Sequence, residues 1–237
     1  MFENINIVLL ETSHPGNIGA TARAMKVMGL NKLYLVDPKK FPSDDSFALA
    51  VGCKDVLRKA KIFKNLSDSL EESEINIGFS SRRRKAKVPK LTIDQCVDLI
   101  NMNPKKKISI LFGNEQSGLS NKELLICDYI ATIPTFKEYK SLNLSAAVQI
   151  FVYELFKGSF RPMKESSKSS RLATTKEKNY FFKEFINLIT ETNFIAKKNA
   201  QSLTQKIHII FNKAALDKDE INILLGIITS INRKIRK

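Results

Sequence analysis

Apolar positions in the first 160 residues come in short, strand-length blocks separated by stretches of helical periodicity. Asn4–Leu10, Lys32–Val36, Ile75–Phe79, Ile108–Phe112 and Tyr129–Ile133 are dense in isoleucine, leucine and valine, the composition of strands covered on both faces. Ala20–Met28, with Gly29 as its C-cap, Thr92–Met102 and Ala146–Phe156 carry the helical pattern, while Asp55–Phe63 fits either type. Strands alternating with helices predict an α/β domain over residues 1–160, built on a parallel sheet flanked by helices.

The remaining chain differs in kind. Residues 161–175, with Pro162 and a Ser/Lys-rich run, hold too few apolar positions to pack and predict a linker. Thr174 and Glu177 have capping-box spacing ahead of Tyr180, Phe181, Phe185, Leu188 and Ile189. Asp217 and Glu220 repeat the device ahead of Ile221, Leu224, Leu225, Ile228 and Ile235. With Leu203, Ile207, Ile210, Phe211 and Ala214 between them, residues 176–237 predict a small all-helical extension of three helices.

Two segments, Leu111–Ser120 and Ile133–Ile150, each run from a strand through small polar residues into a helix. In open α/β sheets such loops lie beyond the carboxyl ends of the strands, where ligands bind. Gly113 and Gly118 let backbone come close to a bound molecule, and Ser141, Leu142 and Asn143 bring hydroxyl and amide groups to the mouth of a helix. A plainer reading stays open at this point: the glycines make turns and Asn143 or Ser145 caps the helix. The segment Pro15–Arg23 lacks the glycine spacing of a dinucleotide loop. Asn17 and Arg23 are expected to point back toward the strand ends, with Arg23 in the second turn of the first helix, where an arginine can grip a phosphate through two parallel bonds. Ser80, Ser81 and the basic run Arg82, Arg83, Arg84, Lys85 follow a strand directly and so fall at the same sheet edge.

Charge narrows the partner. The formal net charge is +15 over 237 residues, of which residues 161–237 contribute +9, and this excess of one sign predicts a polyanion such as a nucleic acid. Cys53, Cys96 and Cys127 lack paired spacing, and His14 and His208 lack acidic or thiol companions, so reduced thiols and no metal are expected. No Ser/His/Asp or Cys/His arrangement is present. Without a long apolar run or a charged-then-apolar leader, the expectation is a cytoplasmic protein that does not engage a membrane.

Three motifs in order carry a resemblance. Asn17-x-Gly-x-x-x-Arg23, Phe112-Gly-Asn-Glu-x-x-Gly-Leu-Ser120 and Ile133-Pro…Ser141-Leu-Asn-Leu-Ser-x-Ala-Val-Gln149 resemble the signatures of the SPOUT RNA ribose methyltransferases. The opening Ile7–Gly29 is similar to the TrmJ-type branch of tRNA (cytidine/uridine-32-2′-O)-methyltransferases. The resemblance covers residues 1–160, and the tail is similar in kind to that branch's C-terminal extension. It implies a C-terminal trefoil knot, a rare exception to unknotted topology, and a homodimer that shares two sites. It implies S-adenosylmethionine held by Ser80, Ser81, Gly113, Ile133, Ser141, Leu142 and Asn143. Arg23, Asn17 and Ser141 would serve catalysis, Asn17 and Glu115 would support the loops, and Arg23 with Arg82–Lys85 would contact RNA. The implied substrate is tRNA, with no DNA expected. Two other readings are a noncatalytic RNA-binding or ribosome-assembly protein on the same fold and a ribosomal RNA 2′-O-methyltransferase. The intact Asn17, Arg23 and Ser141–Asn143 argue against the first, the tail against the second.

Overall fold

The computed structural model describes residues 2–81, 88–139, 141–160, 172–192, 194–195 and 200–235. Its strands are β1 (Ile5–Leu10), β2 (Leu33–Val36), β3 (Lys61–Phe63), β4 (Ile75–Phe79), β5 (Lys90–Thr92), β6 (Ile108–Phe112) and β7 (Tyr129–Thr132). Among the described residues they form one seven-stranded sheet in the order β3-β2-β1-β6-β4-β7-β5, every neighbouring pair parallel. The longest apolar blocks occupy the centre, where both faces must be covered.

Period-two alternation divides each central strand between two cores. Ile5, Ile7 and Leu9 of β1, Ile75, Ile77 and Phe79 of β4, and Ile108, Ile110 and Phe112 of β6 enter the first core. There they meet α1 (Pro15–Val27), α3 (Lys54–Arg58), α5 (Ile93–Asn101) and α7 (Leu144–Gly158). Val8, Leu10, Leu111 and Ile130 enter the second, under α4 (Leu66–Leu70) and α6 (Asn121–Ile126). Each such fully buried aliphatic side chain contributes about 1.5–3 kcal/mol. This burial on both faces explains why the strand sequences read as continuous apolar runs.

Helix α1 begins at Pro15, five residues before the expected Ala20. Proline at the first helical position needs no hydrogen-bond donor and presets φ. Asn17 therefore sits in the first turn and Arg23 in the third, not the second. Gly19 is helical too: a Cβ there would lie 2.2 Å from the Ser46 carbonyl oxygen, so its absence lets α2 (Asp44–Leu49) cross α1 closely. That glycine serves packing, and no phosphate-binding loop exists at this point. The ambiguous stretch Asp55–Phe63 resolves into the end of α3 followed by β3.

The tail holds α8 (Thr175–Glu191), α9 (Ala200–Ala214) and α10 (Lys218–Ile235). Both expected capping devices are present: Thr174 and Glu177 bond reciprocally at α8, as do Asp217 and Glu220 at α10. Phe181, Phe182, Leu188, Ile221 and Ile228 form a separate small core. Of the expected linker, residues 161–171 lie outside the described residues, but its end is packed. Ala173 N donates to Leu216 O, and Thr175 N donates to Ser73 O at 2.7 Å. Asn76 Nδ2, on the second face of the sheet, donates to Thr175 Oγ1 at 2.8 Å, and Lys178 pairs with Asp128 at 3.0 Å. Buried polar groups at the start of β4 thus find their partners in α8, and this is what docks the tail.

Candidate active site

Three loops meet beyond the carboxyl ends of the central strands, and one carboxylate joins them. Glu11, at the end of β1, takes a left-handed φ of 48°, turning the chain toward the loop after β6. There Glu115 Oε2 accepts from Ser13 N at 3.0 Å and Ser13 Oγ at 2.8 Å. Its Oε1 accepts from His14 N at 3.2 Å and Asn17 Nδ2 at 2.8 Å. With Asn17 Nδ2 committed to the carboxylate, Asn17 Oδ1 accepts from Asn143 Nδ2 at 3.0 Å. Asn143 Oδ1 then caps α7, accepting from Ser145 N, Ser145 Oγ and Ala146 N. A continuous chain of hydrogen bonds therefore links the segments after β1, β6 and β7.

Burial by itself would raise the pKa of Glu115, but hydrogen bonds from Asn17 and Ser13 outweigh it and hold the carboxyl at about 2. At neutral pH the group is ionised and its oxygens are taken by donors. It is a poor base and a strong acceptor, suited to fixing the loops. Asn114 shapes the loop beside it: its Oδ1 accepts from Gln116 N, Ser117 N and Ser117 Oγ, an Asx turn. Gly118 completes the turn with φ +64°, and a Cβ on Gly113 would lie 2.2 Å from the Gly118 carbonyl carbon. Only glycine at position 113 lets the loop fold back on its own strand end.

Next to this junction is a cleft of about 110 Å³, open to solvent. The stacked rings of Phe79 and Phe112, 4.9 Å apart, line it with Leu144. Ser80, Ser81, the backbone of Gly113–Gly118, Ile133, Thr135, Ser141 and Leu142 complete its walls. Six of the seven expected cofactor positions, Ser80, Ser81, Gly113, Ile133, Ser141 and Leu142, are brought together here. Asn143 lies just behind the wall, in the hydrogen-bonded chain; Asn17 is one bond further back. Arg23 is not in this cleft: it is exposed on α1, six residues past Asn17, which turns it about 120° around the helix and some 9 Å along it. Arg82, Arg83, Arg84 and Lys85 lie outside the described residues. Sequence reasoning missed Ser13, His14 and Thr135; a short loop before a Pro-initiated helix carries no local signal that its amides will meet a distant carboxylate.

The SpoU rRNA Methylase family matches residues 4–153, more than half of the chain. The chain belongs to the SpoU methylase family. A second match, to the C-terminal domain of the tRNA methyltransferase TrmJ, covers residues 176–237. This SpoU methylase is 38% identical over 235 residues to the tRNA (cytidine/uridine-2′-O-)-methyltransferase TrmJ of Sodalis glossinidius, spanning 98% of this chain and 92% of that one. It is 34% identical over 248 residues to the tRNA (cytidine/uridine/adenosine-2′-O-)-methyltransferase TrmJ of Pseudomonas aeruginosa, spanning 100% and 96%. Among solved structures, the probable methylase family protein of Haemophilus influenzae superposes with TM-score 0.66 at 35% identity, covering 100% of this chain and 99% of that one. TrmJ from Z. mobilis superposes with TM-score 0.86 at 24% identity, covering 96% and 98%, and supports the fold. The SpoU methyltransferase AviRb of Streptomyces viridochromogenes, solved with AdoMet, shares the fold at TM-score 0.52 and 19% identity over 65% of this chain and 60% of its own. The protein is accordingly a methyltransferase enzyme, and the noncatalytic reading is set aside.

Proposed function

We propose that this SpoU methylase transfers the methyl group of S-adenosylmethionine to the 2′-hydroxyl of a cytidine or uridine at position 32 of a tRNA anticodon loop. The observation that carries the reading is the Glu115–Asn17–Asn143 chain, which ties all three motif segments to one cleft. Full-length similarity to relatives named as tRNA 2′-O-methyltransferases supports the substrate.

The cleft suits the methyl donor. Apolar walls at Ile133, Leu142 and Leu144 can cover a flat heterocycle, while the serine hydroxyls and the close backbone permitted by Gly113 can meet polar edges. S-adenosylmethionine, when bound, supplies an electrophilic methyl group on a sulfonium. The protein's part is orientation: the hydroxyl must line up with that methyl group and lose its proton. Glu115, held at about 2 by its donors, does not take the proton. Ser141, on the cleft wall, can hydrogen-bond the ribose or the donor, and Asn143 keeps that loop in register. Arginine, with a pKa above about 12, is no base at neutral pH. Arg23 serves by gripping the substrate phosphate and directing the hydroxyl, whose proton leaves through that phosphate to solvent as the methyl group is transferred.

Because Arg23 does not line the cleft of its own chain, the reading requires a homodimer in which the partner subunit's Arg23 completes each site. Exposed apolar residues nearby support such a face: Val27, one turn beyond Arg23, is 63% exposed, and Tyr153 on α7 is 48% exposed. The strand order supports a C-terminal trefoil knot, since β4 lies between the consecutive strands β6 and β7 while α7 returns to pack on α1 and α5. In this reading residues 1–160 are the catalytic domain, 161–175 connect it to an RNA-binding extension at 176–237, Arg82–Lys85 contact RNA, and the enzyme works in the cytoplasm. Among the described residues no helix is long and apolar enough to cross a membrane.

The test is incubation of the purified protein with labelled S-adenosylmethionine and unmodified tRNA transcripts, followed by nuclease digestion and mass spectrometry. Ribose methylation at one anticodon-loop pyrimidine is expected. Label on the bases alone, or no label on tRNA while ribosomal RNA incubated in parallel is labelled, would overturn the reading.

A further inference from the structure

A second, larger cavity of about 470 Å³ lies where the tail docks on the sheet. Asn76 of β4 and Thr175 of α8 line it on one side, Lys122, Leu125 and Ile126 of α6 on another, and α9 on a third. The face that α9 turns toward the cavity carries Gln201, Thr204, Gln205, His208 and Asn212, at the spacing of one helical stripe. A helix face turned inward is ordinarily apolar. This one is wholly uncharged yet polar, in a chain with 39 lysines and arginines. Of the apolar positions beside it, Phe211 packs against the small core of the tail and Ile207 is buried.

The polar groups are not spent on one another. Gln201, Thr204, Gln205 and Asn212 make no side-chain hydrogen bond among the described residues. Within the lining, Asn76 is 1% exposed and its Oδ1 has no hydrogen-bond partner. Such a group costs stability unless something bonds it. The ring of His208 packs against Phe182, which also lines the cavity, with centroids 3.8 Å apart. Burial lowers the pKa of His208, so at neutral pH the ring is neutral and offers one donor and one acceptor. Lys178, at the edge, is neutralised by Asp128.

We propose that this cavity is a second RNA-contacting site, which takes one unpaired nucleobase of the substrate tRNA. The inference rests on the tRNA reading above and assigns that substrate a contact outside the catalytic cleft. A phosphate would find the cation Lys122 of α6 but no charge along the α9 stripe, whereas the amides there suit a neutral edge and Lys122 can meet the backbone that carries the base. A purely apolar ligand would strand four amide or hydroxyl side chains. A base satisfies both surfaces: its edge carries donors and acceptors for the amides, and its flat faces suit Leu125, Ile126 and the Phe182–His208 pair. Asn76 and Phe79, in the cavity and the cleft respectively, are three residues apart on β4 and project from opposite faces of the sheet. The base held here is therefore not the one whose ribose is methylated.

The test uses the full chain and unmodified tRNA transcript. Gln205→Trp fills the cavity, and Gln201→Ala combined with Asn212→Ala removes amide groups without filling it. Both are expected to weaken tRNA binding and raise the KM for tRNA by about fivefold to a hundredfold, the range that corresponds to ~1–3 kcal/mol per base. Affinity for S-adenosylmethionine and the melting temperature should stay as in the wild type. Unchanged tRNA affinity in the folded double variant overturns the proposal, whatever Gln205→Trp does to folding. A fall in S-adenosylmethionine affinity also overturns it, by giving the cavity to the methyl donor. Wild-type protein that binds tRNA but transfers no methyl group to it refutes the tRNA-methylation reading alone, and the binding comparison still decides the cavity.

Discussion

Replacing Glu115 with glutamine keeps the shape of the side chain and removes the property on which the site depends. Each carboxylate oxygen takes two donors: Ser13 N and Oγ on one, His14 N and Asn17 Nδ2 on the other. Whichever way a glutamine amide turns, its NH2 faces two of them. Two hydrogen bonds are lost, and since the junction is partly open to water, each is worth the modest net value of about 0.5–1.5 kcal/mol. The expected destabilisation is about 1–3 kcal/mol, which for a chain of this size lowers Tm by roughly 2–12 °C. The pH dependence gives a second signature. The folded-state pKa of about 2 lies below the ordinary 4.5, so the stabilisation is full above 4.5 and is lost as pH falls toward 2. Thermal melts followed by circular dichroism between pH 2 and 7 should show the deficit of the Glu115→Gln variant shrinking as the wild type gives up this contribution. Methyl transfer should fall with it, because Asn17 no longer holds Asn143. A variant that melts with the wild type at pH 7 and shows the same acid profile would refute the reasoning.

Arg23→Ala, at an exposed helix position, should change stability by no more than about 0.5 kcal/mol while abolishing the incorporation of labelled methyl groups from S-adenosylmethionine into tRNA; mixing it with Ser141→Ala should restore transfer, since a mixed dimer holds one complete site, and no restoration would deny shared sites. Asn143→Ala should cost about 0.5–2 kcal/mol by removing the α7 cap. Asn143→Asp should keep the cap and near-normal Tm yet lose activity as Asn143→Ala does, because a carboxylate cannot donate to Asn17; wild-type activity in Asn143→Asp would sink that separation. Burial pushes the Cys96 thiol up to about 12 and raises that of Cys127 as well, so iodoacetamide at pH 8 should label both in the native protein at least ~1,000-fold more slowly than in urea, as read by mass spectrometry. Rapid native labelling would show that these thiols are not packed as described.

What the linear chain determined about this protein is whatever rests on neighbours in sequence. Ile75–Phe79 and Ile108–Phe112 were legible as strands to the residue, because a strand buried on both faces is a continuous apolar run. The caps at Thr174 and Asp217 were legible because donor and acceptor stand three residues apart. The three motifs and the net charge of +15 pointed to a nucleic-acid methyltransferase before any geometry. The early start of α1 was hidden, since its buried face is made of small residues such as Gly19, Ala22 and Ala24, whose hydrophobic period is faint. The short helices α2, α4 and α6 span too few turns to show a period at all. Tertiary structure alone decided how distant segments meet. Glu115 and Asn17 are 98 positions apart, and Asn143 and Asn17 are 126 apart. No local rule couples positions so far separated. The strand order brings them together, and that order follows from which helices cover which face of the sheet. The same holds for Asn76 beneath α8 and α9: a strand asparagine and a polar helix stripe read separately as solvated surface, and only packing encloses them around a common cavity.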